Sequence, residues 1–478
     1  MGRATSDASR AGRRDGHGIA SSRRPWRRAL RSLVGAFLLL AACTPSRPAV
    51  YSPVDRDLQQ RLGVAVDWRG DGTDPRVPAA VAALLKQPLD VDGAVRIALA
   101  QNRHLQADLE DLGVAAADLA AATVLPPAEV DIDHKYALDG SGSETELEAV
   151  QDVLDLLTVG QRRGIAKAQL AAARARATAA AIELAMEVEV AFQDAVAAEQ
   201  ERGLRRTAFD AASASADLTE RMRAAGNTTM LAVVRDRDAR EQTRIDLARA
   251  ETTIAVRREA LNRLLGLSGD DTRWSLASDR LPDVPADPPP LDDLEQVAVA
   301  ESLDLRALRA DAEAAAGQVG QARLHAVLPS LGAGVAAARR EGGDWQVGPV
   351  IRFGLPIFDQ QQGPRARAHS DLRRARQSLT ATAVDVRAEA RAAREVALAA
   401  HAEARHLKDV ILPLDNQVLD ELVAQYNAMN ASTFELLTAK RDLVDAGSQY
   451  IEAERRYWTA MARTRALRRG VLPAMESP

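Results

Sequence analysis

The feature that most constrains the fold is the stretch between residues 162 and 225, which contains no proline and only two glycines, Gly164 and Gly203. An uninterrupted stretch of this kind predicts one helix of roughly 64 residues, about 96 Å long at 1.5 Å of rise per residue. Residues 364–428 predict a counterpart of similar length with a kink at Pro413. Helices this long do not fit inside one compact domain, so we expect an elongated, mainly helical protein.

The last predicted helix repeats its apolar residues every seven positions. Three series carry the repeat: Leu436, Leu443, Tyr450 and Tyr457; Leu437, Val444, Ile451 and Trp458; Ala439, Ala446, Ala453 and Ala460. A strict seven-residue repeat implies a left-handed coiled coil, and the small alanine side chains permit close approach of neighbouring helices. The long helices are therefore predicted to pack side by side.

The composition excludes several classes of function. Only 3% of the 478 residues are aromatic, which is too few for an ordinary globular enzyme of this size. The 62 basic and 67 acidic residues leave a net charge of −5, the opposite of a nucleic-acid-binding protein. The sequence has no glycine-rich phosphate loop, no GxSxG motif, no two histidines four residues apart and only one cysteine. It therefore predicts no catalytic residue, no metal site and no nucleic-acid partner.

The N-terminal region resembles a bacterial lipoprotein signal. Five arginines between residues 23 and 31 precede an apolar run of ten residues, Leu33 to Ala42, which is too short to span a bilayer and is typical of a signal peptide. The run ends in Leu40-Ala41-Ala42-Cys43, which resembles the lipobox. This resemblance implies that residues 1–42 are removed and that Cys43 carries covalent lipid, palmitate included. Thr44, in the place of an aspartate, implies the outer membrane.

The rest of the chain divides into two similar halves. Residues 43–88 are rich in proline, glycine and aspartate and predict an extended N-terminal arm, while residues 268–290 contain Asp-Pro-Pro-Pro and predict a linker. The first repeat, 89–267, resembles the second, 291–470, and 471–478 is a tail. Leu125-Pro126 aligns with Leu328-Pro329 at an offset of 203 residues, and similar offsets recur along both halves. Each repeat is predicted to contain a helix, a β-hairpin and two long helices.

The hairpins have a period of two instead of seven. The odd positions from Trp345 to Ile357 are apolar, and Leu331, Ala333, Val335 and Ala337 supply a partner strand. In the first half, Val130, Ile132 and Tyr136 alternate with polar residues. The expected return strand is ambiguous, because between residues 144 and 158 Leu147, Val150, Val153, Leu154 and Leu157 have helical spacing. A strand and a helix both remain open for this segment.

Over residues 89–470 the chain resembles the TolC family of outer-membrane efflux channels. The resemblance is carried by five features: the two Leu-Pro hairpin starts; Gly348-Pro349; Leu355-Pro356-Ile357-Phe358-Asp359 before the second long helix; Leu264-Leu265-Gly266-Leu267 at the end of the first half; and Tyr426-Asn427-Ala428-Met429 before Phe434-Glu435-Leu436-Leu437.

The resemblance implies a fold and a function. It implies a homotrimer in which each chain contributes four strands to one β-barrel in the outer membrane and long helices to an α-barrel in the periplasm. Such a channel is the exit duct of a tripartite efflux pump, with a periplasmic adaptor and an inner-membrane transporter as partners and no cofactor besides the lipid at Cys43. The alternative is a lipid-anchored periplasmic coiled-coil scaffold or adaptor without a membrane barrel. The exported substrate is not specified by the motifs.

The resemblance also implies site residues at the two helix–helix turns. The adaptor would contact the tips, Gly226, Asn227, Thr228 and Thr229 in the first and Asn430, Ser432 and Thr433 in the second; the alternative is that both are plain turns. Tyr426 and Glu435 match the positions of the gate at the narrow end. A ring of three Glu435 carboxylates would attract cations. The alternative for Glu435 is a solvated residue in a first helical turn, favoured by the helix dipole.

We expect the mature protein to begin at a lipidated Cys43, because lipid chains anchor a protein that a ten-residue apolar run cannot. Mass spectrometry of the mature N-terminus measures this directly, and an unmodified peptide running through Ala42-Cys43 would contradict it. Cys43→Ser is expected to yield an unlipidated protein that still assembles, since the strands and helices carry assembly.

Overall fold

The computed structural model describes residues 47–64, 76–138, 142–357, 360–428 and 430–473. The predicted signal peptide, Cys43 and Met429 lie outside the described residues. The helices and strands follow in chain order: α1 Arg47–Leu62, α2 Arg76–Leu85, α3 Val91–Gln101, α4 Arg103–Thr123, β1 Glu129–Tyr136, β2 Ser143–Asp152, α5 Val153–Ala224, α6 Met230–Leu265, α7 Leu294–Glu301, α8 Leu303–Val327, β3 Leu331–Arg340, β4 Gln346–Phe353, α9 Gln362–His406, α10 Leu412–Asn427 and α11 Thr433–Arg468.

The predicted fold class, long helices with a small four-stranded sheet, is confirmed. The order of elements from α3 to α6 recurs from α7 to α11. In both halves the helix just before the β-hairpin is capped in the same way at its start: Asn102 caps α4 and Ser302 caps α8, each through its side-chain oxygen. Gly266 and Gly470, which follow the last helix of each repeat, both adopt a positive φ. Each lies against the end of the short first helix of its repeat, α3 or α7, where a Cβ atom would collide.

The long helices match the proline-free stretches of the sequence. Helix α5 has 72 residues, so it is about 108 Å long. Its counterpart is interrupted by a π-helical turn, Leu407–Ile411, between α9 and α10. The turn lies just before Pro413, where the sequence predicts a kink, because proline has no N–H to donate to the preceding turn. Within the described part of the chain, no helix combines the length and the apolar character needed to cross a membrane.

The four strands form one antiparallel sheet in the order β1-β2-β3-β4, and the register separates its two faces. On one face, the cross-strand row Ile132, Leu147, Ala337 and Val347 is apolar from edge to edge. The next row on this face contains Val130, Ala149, Val335 and Pro349. Ile351 and Val347 are each 70% exposed. The sheet thus has an apolar face that the described residues leave uncovered.

The opposite face of the sheet is charged. Three ion pairs cross its strands: Lys135 with Glu146 at 3.4 Å, Arg340 with Glu144 at 3.4 Å, and Arg352 with Glu148 at 2.6 Å. Asp131 and Asp133 lie on the same face of β1, opposite Glu148 and Glu146. Carboxylates outnumber cations here, so this face is acidic as well as polar.

The ambiguous segment 144–158 contains a strand in its first part and the start of a helix in its second part. Its first part is β2, which pairs with β1 on one side and β3 on the other and so satisfies its backbone groups. Leu147 lies on the apolar face, and the alternating glutamates lie on the charged face. Asp152 then caps α5 by accepting a hydrogen bond from the N–H of Asp155, so the leucines that follow belong to the helix.

The expectation of an extended N-terminal arm is wrong for the described residues, which form α1 and α2. Val50, Val54 and Leu58 are spaced four apart and are buried, so one face of α1 packs against the core. The hydroxyl of Tyr51 donates a hydrogen bond to the carbonyl oxygen of Leu109 in α4 at 2.9 Å. Pro53 lies inside α1, and a proline there is the reason why the sequence favours an arm over a helix.

The segment between the two repeats is packed onto the helices. Trp274 is buried, and its Nε1 donates a hydrogen bond to Oδ1 of Asn262 in α6 at 2.8 Å. Arg258 lies over the Trp274 ring at 3.9 Å from its centroid. Further along, Leu281 and Val284 are buried as well. These contacts bind the segment across the middle of the helices, where the largest cluster of buried side chains lies.

Candidate functional site

The first tip, between α5 and α6, is a closed helix end followed by a capped helix start. Gly226 adopts a φ of +79°, and the N–H of Asn227 donates to the carbonyl of Met222 at 2.8 Å, as in a Schellman motif. Thr229 then caps α6, its side chain accepting a hydrogen bond from the N–H of Ala232 at 3.2 Å. The turn is short, and the helix end before it and the helix start after it are both capped.

The second tip, between α10 and α11, repeats this arrangement 203 residues later. The N–H of Asn430 donates to the carbonyl of Gln425 at 2.8 Å. Ser432 caps α11 and accepts a hydrogen bond from the N–H of Glu435 at 3.2 Å. The same cap position and the same closing hydrogen bond in both tips follow from the repeat.

All seven predicted adaptor-contact residues lie in these two tips. Gly226, Asn227, Thr229, Asn430 and Ser432 are exposed, and Thr228 is half-buried. The side chain of Thr433 lies outside the described residues. Exposed polar groups on these two turns are available to a partner.

Glu435 is held in a capping box. One of its carboxylate oxygens accepts hydrogen bonds from the N–H of Ser432 at 2.7 Å and from the Ser432 hydroxyl at 2.8 Å. These hydrogen bonds hold the pKa of Glu435 below its usual range, so the carboxylate stays ionised at neutral pH. The geometry supports the first-turn role that the sequence left open for Glu435. Tyr426 lies half-buried in the last turn of α10.

A cleft of about 680 Å³ lies between α5, α6 and α11, just above the tips. Its lining includes Arg235, six residues beyond Thr229, and Leu437, five residues beyond Ser432, so both tips lie at the same end of the helices. Arg205 crosses from α5 to Asp445 of α11 at 3.5 Å. The described residues contain no group of three or more His, Cys, Asp or Glu side chains placed to hold a metal ion.

A buried carboxylate near the first tip is a feature that sequence reasoning missed. Asp236 of α6 is only 3% exposed, and it accepts hydrogen bonds from the hydroxyls of Ser215, at 3.1 Å, and Thr219. The two hydroxyls on α5 are four residues apart, so this bridge sets the register of the hairpin just above its tip. The available signal was its spacing, since Asp236 follows the buried Val233 by three residues on the packed face.

Known proteins of similar sequence or structure agree with the geometry of this chain. No protein-family model matches the chain. The cobalt-zinc-cadmium resistance protein CzcC of Cupriavidus metallidurans is 23% identical over 405 residues, which cover 82% of this chain and 92% of CzcC.

Two solved structures of similar fold extend the comparison. A membrane protein from Pseudomonas aeruginosa has a TM-score of 0.69 at 22% identity, covering 79% of this chain and 92% of that one. The Campylobacter jejuni CmeC outer membrane channel has a TM-score of 0.65 at 15% identity, covering 81% and 87%. The chain therefore has the fold of the outer-membrane channels. The resemblance to the TolC family inferred from the motifs is confirmed.

The capping box predicts that the stability of the second tip depends on pH. The pKa of Glu435 is lower in the folded than in the unfolded chain, so its stabilising effect is present above the unfolded pKa and is lost as pH falls through the folded pKa. Amide hydrogen exchange in the first turns of α11, corrected for the intrinsic pH dependence, is expected to show this loss of protection in acid.

The matched variants are Glu435→Gln and Glu421→Gln. Glutamine can still fill the capping box but does not titrate, so Glu435→Gln should abolish the pH dependence of protection. Glu421→Gln, at an exposed position of α10, should leave the pH dependence of protection unchanged. An unchanged pH profile in Glu435→Gln would show that the carboxylate does not act through this cap.

Proposed function

We propose that this protein is the exit duct of a tripartite efflux system, a passive channel for export across the periplasm and the outer membrane. The observation that carries the proposal is the sheet, which has one apolar and one acidic face and lies at one end of helices about 100 Å long. Such a sheet suits a wall between lipid and water. The duct has no catalytic activity, since passage through an open channel needs none.

The open edges of the sheet require more than one copy. β1 and β4 each lie at an edge, and no other strand of the described part of the chain pairs with either edge. Lipid offers no hydrogen bonds to exposed backbone groups, so the edge of β4 in one copy pairs with β1 of the next. This head-to-tail contact closes a ring when the rotation between copies closes. With three copies, as the TolC resemblance implies, the ring contains twelve strands.

The helices carry a matching pair of uncovered faces. In the chain, α6 packs mainly on α5, and α10 packs mainly on α11. Both helices expose apolar side chains on one face: Leu231, Val234, Ile245 and Val256 on α6, and Leu414 and Val418 on α10. A second copy would cover these two faces with each other, so the helical wall and the sheet close by the same contact. Closure of both layers supports the duct over a single-chain scaffold.

The partners follow from the position of the tips. Helix α5 begins at the sheet and ends at the first tip, so the tips lie at the opposite end from the membrane. There the exposed residues of the two turns would contact a periplasmic adaptor, which in turn contacts an inner-membrane transporter. Tyr426 and Glu435 would form the narrow end of the duct. Three Glu435 carboxylates there would favour cations over anions.

Localisation to the outer membrane would be reinforced by lipid at Cys43. Cys43 precedes the start of helix α1, Arg47, by four residues of sequence. The acidic face of the sheet favours cationic cargo, and the name of CzcC points to metal ions as the class to test first. A periplasmic scaffold would not require an exposed apolar face on its sheet.

Substitutions in β4 test whether this sheet enters the membrane. Ile351 lies on the apolar face, so Ile351→Arg should cost roughly 2 to 4 kcal/mol if the site is near the bilayer midplane. Val350, one residue earlier, lies on the charged face, so Val350→Arg should be much milder. The measurement is the yield of heat-sensitive oligomer in outer-membrane fractions, together with export by the complete pump.

The pair of variants also discriminates the two functions. A periplasmic scaffold would tolerate arginine at Ile351, because an exposed position in water has no cost for a charge. Equal oligomer yields for Ile351→Arg and Val350→Arg would therefore contradict the duct and favour the scaffold.

A further inference from the structure

The helices next to the sheet are unusually basic for a chain with an overall acidic charge. Between residues 156 and 182, α5 contains five basic residues and no aspartate or glutamate. Residues 314–330 contain one arginine and no acidic residue, and residues 360–384 contain five arginines and a single aspartate. Four exposed members of this zone, Arg163, Lys167, Arg323 and Arg365, are called the upper basic band below.

Each helix of the band places an apolar residue between its basic residue and the sheet. On α5, Leu156 precedes Arg163 by seven residues, which is two turns on the same face. On α8, Val327, which is 77% exposed, follows Arg323 by one turn. Before α9, Ile357 is 67% exposed and precedes Arg365. All three segments join the sheet at the same end of its strands, and in each of them the apolar residue lies closer to the sheet than the basic residue.

The side chain of Arg163 points away from the neighbouring helix. Gln161 of α5 donates a hydrogen bond to the carbonyl of Gly317 in α8 at 3.0 Å, and Ile165 lies where a Cβ of Gly317 would be. Arg163 lies two residues from each, about 200° around the helix from both. It therefore faces away from α8.

The basic residues of the band have no carboxylate partner among the described residues. Other arginines of the same zone do, since Arg176 pairs with Asp311 and Arg162 lies 3.8 Å from Asp155. The band thus presents uncompensated positive charge at the border of the apolar level. A surface of this kind is complementary to phosphate groups, which arginine binds through two N–H groups at once.

We propose that the upper basic band binds the anionic headgroups of the phospholipid leaflet that faces the periplasm. This inference rests on the proposed function, because it requires the apolar face of the sheet to lie in the bilayer. Continuity supports it: the apolar face of the sheet, the apolar level and the band follow one another along the same helices. The band then fixes the depth at which the duct sits in the membrane.

The basic residues start at the depth of a headgroup layer and continue down α5. At 1.5 Å per residue, Arg365 and Arg323 lie about 5 and 6 Å from the helix ends nearest the sheet, Arg163 about 15 Å and Lys167 about 21 Å. The headgroup layer extends about 5 to 8 Å beyond the hydrocarbon core. Side chains tilt toward the start of their helix, which for α5 is the end at the sheet, so Arg163 and Lys167 extend back toward that layer while keeping their charge in water.

The test uses the full-length lipoprotein in lipid nanodiscs, either of phosphatidylcholine alone or with about one-third phosphatidylglycerol. The thermal unfolding temperature is expected to rise by several degrees with the anionic lipid at low salt and to rise less at high salt. Replacing all four residues, R163Q/K167Q/R323Q/R365Q, should remove most of this rise. A control with four exposed arginines replaced nearer the tips, R206Q/R221Q/R244Q/R249Q, should retain it.

Several outcomes would overturn the proposal. An equal rise in the band variant and the wild type would show that the lipid acts elsewhere. A band variant with an unchanged lipid response but altered ion selectivity in planar bilayers would place the band on the lumen. Failure of the wild type to enter either kind of nanodisc would contradict the proposed function as well, whereas insertion without any phosphatidylglycerol effect would contradict only this inference.

Discussion

The unpaired edges of the four-stranded sheet are the constraint on which the rest of the structure depends. One face of the sheet is apolar and exposed, as a surface in contact with lipid would be, yet β1 and β4 each present a row of backbone groups without a partner among the described residues. Lipid cannot supply those hydrogen bonds. In the proposed duct the sheet is therefore complete only as part of a closed ring of several copies.

The helices transmit this requirement over a long distance. Helix α5 starts directly after β2 and ends at the first tip, so the angle between neighbouring sheets also sets the position of the tips. Asp236 fixes the register of the first hairpin near its tip, and the segment around Trp274 binds the helices at mid-height. In the proposed ring, the contact that closes the sheets therefore also determines where the tips lie.

Much of this arrangement could be predicted from residue periodicity, because helices and amphipathic strands each impose a regular spacing. The long helices, the tips with Gly226 and Ser432, and strand β4 follow from that spacing. Helix α1 was missed because Pro53 and nearby glycines outweighed the four-residue spacing of its valines. The burial of Asp236 and the directions of the basic side chains depend on which helices become neighbours. Local residue spacing does not specify which helices pack together, so neither feature could be predicted.

The central claim is that copies of this chain close into a water-filled duct through the membrane. Its most direct test is the conductance of the purified protein in planar bilayers, with the mass of the oligomer measured in the same preparation. We expect a trimer that conducts ions and prefers cations, since the acidic residues Asp131 and Asp133 would face the lumen. A stable monomer, or a trimer that inserts but conducts no ions under any condition, would contradict the account.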